Sequence, residues 1–257
     1  MKWQFHKYQG TGNDFIMLDN RRGLIQLNID QIVRLCDRKF GIGSDGIILI
    51  EKSVDTLFYM NFYNPDGSQS FCGNGSRCAV RFAMFLGVEG SSNDFTAIDG
   101  KHVFKVDGDD VKIRMKDVDQ VKREGDDYVL HTGSPHYVKY VADPSSIDII
   151  QDARKIRYNN QFKTEGINVN FVSEVDNHID MRTYERGVED ETLSCGTGVT
   201  AAALTYAFRH PGTDKVDVVT RGGKLKVLMS NVDDGKFTDI WLCGSAEFVF
   251  KGEIEIV

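Results

Sequence analysis

Apolar residues along this chain fall into short strand-sized runs, separated by glycine- and aspartate-rich turns and by four stretches with helical spacing. Trp3 to Tyr8 alternates as a strand, Gly10-Thr11-Gly12-Asn13-Asp14 reads as a turn, and Phe15 to Leu18 is a second strand. Asn28 or Asp30 caps a helix running to Lys39, with Ile32, Leu35, Cys36 and Lys39 on one side. Gly41 to Gly46 is a loop, Ile47 to Ile50 a buried strand, and Leu57 to Tyr63 another, halted by Asn64-Pro65-Asp66-Gly67. A helix follows Cys72-Gly73-Asn74-Gly75, its apolar side formed by Ala79, Val80, Phe82, Ala83 and Leu86. Phe95 to Met115 carries short strands parted by Asp99-Gly100 and Asp107-Gly108, the pattern of hairpins.

The same programme then repeats. Tyr128 to Leu130 and Tyr137 to Val141 read as strands, Ser145 to Ile156 as a helix, and Ile167 to Val172 and His178 to Tyr184 as strands. Cys195-Gly196-Thr197-Gly198 opens a helix with Ala201, Ala202, Leu204, Thr205 and Phe208 on its apolar side. Val216 to Thr220, Lys224 to Met229 and Phe237 to Cys243 close this half as strands. The register is regular: Met60 and Tyr63 lie 121 residues before Met181 and Tyr184, as Gly12 does before Gly133. Cys72 lies 123 before Cys195, and Gly100-Lys101 lies 123 before Gly223-Lys224. The pattern predicts a mixed α/β (α+β) chain of two pseudosymmetric domains, each with antiparallel strands wrapped around one central helix. The boundary falls in the charged stretch Lys116 to Gly125, giving residues 1–115 with 246–257 as one domain and 116–245 as the other. The last strand, Glu247 to Val257, returns to the first domain's sheet.

Composition narrows the function classes. A chain of 257 residues with a formal charge of −7 and a pI near 5.4 offers no nucleic-acid-binding surface. No run is long enough to span a membrane, and Met1 to His6 lacks the apolar core of a signal peptide. Five cysteines without paired spacing point to reduced thiols and a cytoplasmic setting. Gly41-Ile42-Gly43-Ser44-Asp45-Gly46 matches a dinucleotide fingerprint, but it follows a helix and opens a strand, the wrong order for that role. Cys36, Cys78 and Cys243 read as core residues, and no spacing supports a metal site around Cys72, Cys195 and His136.

Cys72 and Cys195 are different. Each stands where a helix begins, beside amides that lack helical partners and at the positive end of the dipole, which favours a thiolate. The Gly-x-Gly that follows lets backbone N–H groups converge on a carboxylate. Two such thiols acting on opposite faces of an amino-acid α-carbon describe racemisation or epimerisation without a cofactor, the amides stabilising charge that develops on the carboxylate.

Gly12-Asn13-Asp14-Phe15, Asn64-x-Asp66-Gly67-Ser68, Cys72-Gly73-Asn74-Gly75-x-Arg77-Cys78, Tyr184-Glu185-Arg186-Gly187 and Cys195-Gly196-Thr197-Gly198 together resemble the diaminopimelate epimerase family over nearly the whole chain. The resemblance implies two pseudosymmetric domains with the active site in the cleft between them, and a homodimer. It further implies interconversion of LL- and meso-2,6-diaminopimelate, on the route to lysine and peptidoglycan, without cofactor or metal. By the same resemblance, Cys72 and Cys195 are the acid/base pair, and His136 and Glu185 tune the thiols. Gly73, Asn74, Gly196 and Thr197 bind the reacting carboxylate; Asn13, Asn64, Ser134, Asn168, Glu185 and Arg186 contact the rest of the substrate. Two positions depart from relatives: Gly46 stands where some carry Gln, and Ser134 stands where others carry Asn. The alternatives are a proline or hydroxyproline racemase of the same architecture, a non-catalytic amino-acid-binding protein, and a thiol oxidoreductase. The first lacks a use for Arg186, the second for the paired cysteines, and the third lacks C-x-x-C spacing.

Overall fold

Phe15-Ile16-Met17-Leu18 and Ile47-Ile48-Leu49-Ile50 are each buried to 2% exposure or less, so these strands are covered on both faces. The reason is visible in a computed structural model, which describes residues 2–233 and 235–255; Ile256 and Val257, the end of the last expected strand, lie outside the described residues. The chain divides into two compact units, one reaching to Ile113 and resuming at Gly244, the other Arg114–Cys243.

The first unit runs β1 (Lys2–Gly10), β2 (Asn13–Asp19), α1 (Ile29–Cys36), β3 (Ile47–Glu51), β4 (Tyr59–Tyr63), α2 (Gly73–Phe85), β5 (Asp94–Ala97), β6 (Gly100–Asp107) and β7 (Asp110–Arg114). Successive strands pair antiparallel, except that β2–β3 and β4–β5 are parallel. Those two junctions are the ones crossed by α1 and α2, since a parallel pair needs a crossover. Side chains alternate along the strands. Phe15, Met17, Ile48 and Ile50 therefore pack on Ala79, Val80, Phe82 and Ala83 of α2. Ile16, Leu18, Ile47 and Leu49 pack on Ile32, Leu35 and Cys36 of α1. Each apolar run is continuous because it serves two helices at once.

The second unit runs β8 (Lys122–Glu124), β9 (Asp127–His131), β10 (Pro135–Tyr140), α3 (Ile149–Arg157), β11 (Asn168–Val175), β12 (His178–Glu185), β13 (Asp190–Thr192), α4 (Gly196–Arg209), β14 (Lys215–Thr220), β15 (Gly223–Asp233) and β16 (Lys236–Ser245). From β9 onward its pairing repeats the first unit: antiparallel, parallel across α3, antiparallel, parallel across α4, then two antiparallel steps. Val138, Val172 and Met181 face α4, whose Ala201, Ala202, Ala203 and Ala207 are fully buried. Val169, Phe171 and Tyr184 face Ile149 and Ala153 of α3. Finally β17 (Glu247–Glu255) lies antiparallel along β1, from Gln9 opposite Glu247 to Lys2 opposite Glu255. Among the described residues no helix is long and apolar enough to cross a membrane.

Some boundaries differ from expectation. The helix expected to reach Lys39 stops at Cys36. Asp37 turns out of helical geometry, and its Oδ1 accepts from the Lys39 and Phe40 amides at 2.7 Å. Its start is as read: Asn28 and Gln31 form a reciprocal capping box. The helix expected over Ser145 to Ile156 is two pieces, a 3-10 turn Pro144–Ser146 capped by Asp143 and α3 capped by Asp148. Strand β13, which extends the β12 edge, had no counterpart in the sequence reading.

Candidate active site

Both motif cysteines are helix N-caps in extended conformation, Cys72 (φ −126°, ψ 113°) before α2 and Cys195 (φ −119°, ψ 111°) before α4. The first helical bonds run from the Ser76 amide to the Cys72 carbonyl and from the Val199 amide to the Cys195 carbonyl, each 2.8 Å. The amides of Gly73 and Asn74, and of Gly196 and Thr197, therefore precede the hydrogen-bonded turns and belong to the positive helix ends. The other three cysteines are buried in the cores, and burial pushes the Cys78 thiol up to about 12 and raises that of Cys36. Burial thus favours the protonated thiol at Cys36 and Cys78.

Around Cys72, Sγ accepts from the Gly75 amide at 3.3 Å and donates to Asn13 Oδ1 at 3.7 Å. Asn74 Nδ2 also donates to Asn13 Oδ1, at 3.4 Å. The Asn13 carboxamide is oriented from behind, because its Nδ2 donates to the Asp45 carboxylate at 2.7 Å. Asp45 in turn pairs with Arg38 at 2.8 Å, and Arg38 with Asp14 at 2.6 Å; Lys7 pairs with the other oxygen of Asp14. Burial alone would raise the Asp14 pKa, but bonds and charge from Arg38 and Lys7 outweigh it and hold the carboxyl below its ordinary value. Arg77, fully buried on α2, donates to the Ser245 carbonyl at 3.3 Å and to Thr11 Oγ1 at 3.0 Å. Asn64 Nδ2 donates to the Ser68 carbonyl and to Ser68 and Ser70 Oγ, each at 3.1 Å, tightening the turn that follows β4. A side chain at Gly46 has no room, since a Cβ there would lie 2.4 Å from the Phe62 ring and 2.7 Å from the Tyr63 carbonyl.

Around Cys195, Thr197 Oγ1 is 3.4 Å from Sγ and 2.9 Å from His136 Nε2. His136 Nδ1 meets Asn170 Nδ2 at 3.1 Å. Burial first, and electrostatic interaction with His131 and Arg186 second, pull the His136 pKa down to about 3, so the ring is neutral. Ser134, Asn168 and Arg186 form a second cluster in this unit. Asn168 Nδ2 donates to Ser134 Oγ at 2.9 Å and the Pro135 carbonyl at 3.0 Å, while its Oδ1 accepts from the Arg186 amide at 2.8 Å. The Arg186 guanidinium donates to the Glu165 carbonyl at 3.0 Å and to Ser134 Oγ at 3.4 Å. Glu185 ends β12 just before it. The Glu185–Arg186 turn is held by Glu189, which accepts from Arg157 (2.9 Å), Tyr158 (2.8 Å), Tyr184 (3.2 Å) and the Gly187 amide (3.2 Å).

Asp45, Asn170 and Glu189 were not singled out in the sequence. Asn170 left the clearest trace, a polar residue between the apolar Val169 and Phe171 of a strand that packs on a helix. Among the described residues no group of three His, Cys, Asp or Glu side chains is placed to hold a metal ion.

Comparison with known proteins agrees with the duplication. The diaminopimelate epimerase family model matches twice, over residues 5–127 and 128–249. A diaminopimelate epimerase of Flavobacterium psychrophilum is 45% identical, with 98% of this chain and 100% of the relative covered. One from Chlorobaculum tepidum is 38% identical over 96% and 99% of the two chains. Among solved structures, a PhzF-family phenazine biosynthesis protein of Bacillus anthracis superposes with a TM-score of 0.75 at 14% identity, covering 100% of both chains. A hydroxyproline epimerase of Agrobacterium vitis superposes with a TM-score of 0.66 at 14% identity, covering 98% of this chain and 91% of its own. At such identities these likenesses speak for the fold alone. Two tandem matches spanning nearly all of the sequence, and full-length relatives well above 30% identity, place this chain in the diaminopimelate epimerase family of isomerases.

Proposed function

We propose that the chain interconverts LL- and meso-2,6-diaminopimelate by a two-base reaction of Cys72 and Cys195 that uses no cofactor. The observation that carries this reading is the repetition itself: one cysteine caps the central helix at the same point of each half. One cysteine as thiolate removes the α-hydrogen as a proton, leaving a planar carbanion. The other, as thiol, delivers its proton to the opposite face. The stereocentre is inverted, and the two sulfurs have exchanged protonation states. Charge that moves onto the α-carboxylate in the planar state is met by the amides of Gly73 and Asn74 and of Gly196 and Thr197, each such donor being worth about 3 kcal/mol of transition-state stabilisation. Asn13 and Asn74 border the reacting end. Ser134, Asn168 and Arg186 supply the distal end, where a guanidinium suits a carboxylate and proline would have nothing to offer it. Glu185 is the acidic partner for an ammonium.

The reading is tested by incubating the purified chain with LL-diaminopimelate in D2O and following deuterium at the α-carbon, with proline in parallel. Deuterium enters diaminopimelate alone. Exchange into proline only, or none, would overturn the proposal. The chain acts as a homodimer in the cytoplasm, in keeping with its five cysteines, none of them disulfide-bonded. What supports pairing of two copies is an apolar patch around His6. Its ring lies 5.1 Å from that of Phe85 and 6.1 Å from that of Phe248, and Phe85 and Phe248 are 61 and 52% exposed.

A further inference from the structure

Glu189, three residues after Arg186 in the turn between β12 and β13, has a φ of +58°. That is the left-handed region, where glycine is at ease and other residues are strained. Strain of this kind persists where surrounding contacts over-determine the backbone. Here the contacts are made by the Glu189 carboxylate. Its Oε1 accepts from Nε and Nη2 of Arg157 at 3.2 and 2.9 Å and from the Gly187 amide at 3.2 Å. Its Oε2 accepts from the hydroxyls of Tyr158 and Tyr184 at 2.8 and 3.2 Å. The Glu189 amide donates to the Glu185 carbonyl at 2.8 Å and closes the turn. Burial alone would raise the Glu189 pKa, but bonds from Tyr158, the Gly187 amide and Arg157 outweigh it and hold the carboxyl below its ordinary value. The group is ionised at neutral pH.

Two guanidinium groups lie within reach of this turn. Both pack on Gly166, where a Cβ would stand 2.7 Å from Arg186 Cδ and 2.9 Å from Arg157 Cζ. Arg157 is the inner one, its side chain 13% exposed, and it takes the Glu189 carboxylate. Arg186 is exposed and donates to the Glu165 carbonyl and to Ser134 Oγ, neither of which is charged. In the same unit Arg157, Arg182, Arg209 and Arg221 each have a glutamate partner. Among the described residues Arg186 has no carboxylate partner, so its charge is left uncompensated by the protein.

We propose that Glu189 is a positioning residue for substrate selection: by engaging Arg157 and closing the turn, it leaves Arg186 fixed and uncompensated for the distal carboxylate of the substrate. This inference rests on the diaminopimelate reading above. Without the Glu189 carboxylate, the Arg157 charge stands unpaired beside Arg186, and the turn that carries Arg186 loses its brace. The distal carboxylate keeps its charge throughout the inversion. A contact to it is therefore equally strong in the ground state and the transition state, and it sets KM rather than kcat.

The test is steady-state kinetics of the full chain with diaminopimelate, with circular dichroism as the check on folding. Glu189→Gln and Glu189→Gly each raise KM about tenfold, the weight of one charge-assisted contact, and leave kcat within about twofold of wild type. The glycine variant is the more telling, because it removes the carboxylate and relieves the left-handed backbone together. A role confined to backbone geometry would leave its KM at the wild-type value. In an Arg186→Met background neither change raises KM further, since Glu189 acts through Arg186. Should the single variants fail to fold, Arg157→Met with Glu189→Gln removes both charges of the pair and shows the same rise. An unmoved KM, a loss confined to kcat, or a rise that adds to that of Arg186→Met overturns the inference. Deuterium exchange in the same preparations separates the two readings. Exchange into diaminopimelate with KM unmoved in the variants sinks only this inference, whereas absent exchange in the wild type sinks the reaction itself.

Discussion

His136 makes a quantitative prediction about acid stability. Its pKa is drawn from an ordinary 6.5 down to about 3 by burial, and secondarily by His131 and Arg186. Between those values the unfolded chain binds a proton that the folded chain refuses. Stability is therefore fully present above pH 6.5 and declines as pH falls towards 3. The slope approaches about 1.4 kcal/mol per pH unit, so moving from pH 7 to pH 5 costs about 2 kcal/mol through this one residue. Other groups titrate in the same range, and replacing the ring isolates its share. Urea unfolding of wild type and His136→Gln at both pH values gives the difference of differences. The wild type loses about 2 kcal/mol more than the variant over that interval. Equal losses would mean that His136 is protonated in the folded state near neutrality.

Four further outcomes are open to measurement. Cys72→Ala and Cys195→Ala each lower the epimerisation rate by at least about 10³, the scale of a lost acid/base group, while circular dichroism and the melting temperature stay close to wild type. Arg186→Met raises KM for diaminopimelate at least about tenfold, the minimum for a lost charge-assisted contact; an unchanged KM would remove Arg186 from the distal site. Asn28→Ala breaks the capping box of α1 and lowers unfolding stability by about 1 kcal/mol with turnover intact, and a larger loss of turnover than of stability would contradict its purely local role. Phe248→Glu places a charge in the apolar patch around His6 and shifts the mass seen by light scattering from dimer to monomer; an unaltered mass would clear that patch of a role in pairing.

The duplicated architecture was legible because its signals are local and twice repeated. Runs such as Ile47 to Ile50, buried on both faces, announce strands between helix layers, and cysteine followed by Gly-x-Gly announces a helix start. Helix ends were less legible. Lys39 fits the apolar-side spacing of α1, yet Asp37 competes for the next amides and stops the helix sooner than that pattern suggests. Two aspartates, Asp143 and Asp148, each cap a turn where spacing alone implies one helix. The cysteines, Asn13 and Arg186 stand in motifs visible in the sequence, whereas Ser134 and Asn168 came only from the family resemblance. Asp45, Asn170 and Glu189 were not identifiable, because each acts through another residue: Asp45 through Asn13, Asn170 through His136, Glu189 through the Glu185–Arg186 turn. Only tertiary contact joins Asn170 to His136, 34 positions away.

The strand pairing of β17 with β1 has a consequence for how the chain matures on a ribosome. The Arg114–Cys243 unit is one uninterrupted stretch and can complete its core as soon as it has emerged. The other unit, although synthesised first, leaves the β1 edge of its sheet, from Lys2 to Gln9, bare until Glu247–Glu255 arrives to pair with it. An exposed strand edge is a template for the wrong partner. The first half of the chain is thus the later to mature. Ribosomes stalled before and after the emergence of β17 should carry, respectively, a protease-sensitive and a protease-resistant N-terminal half, with the middle of the chain resistant in both.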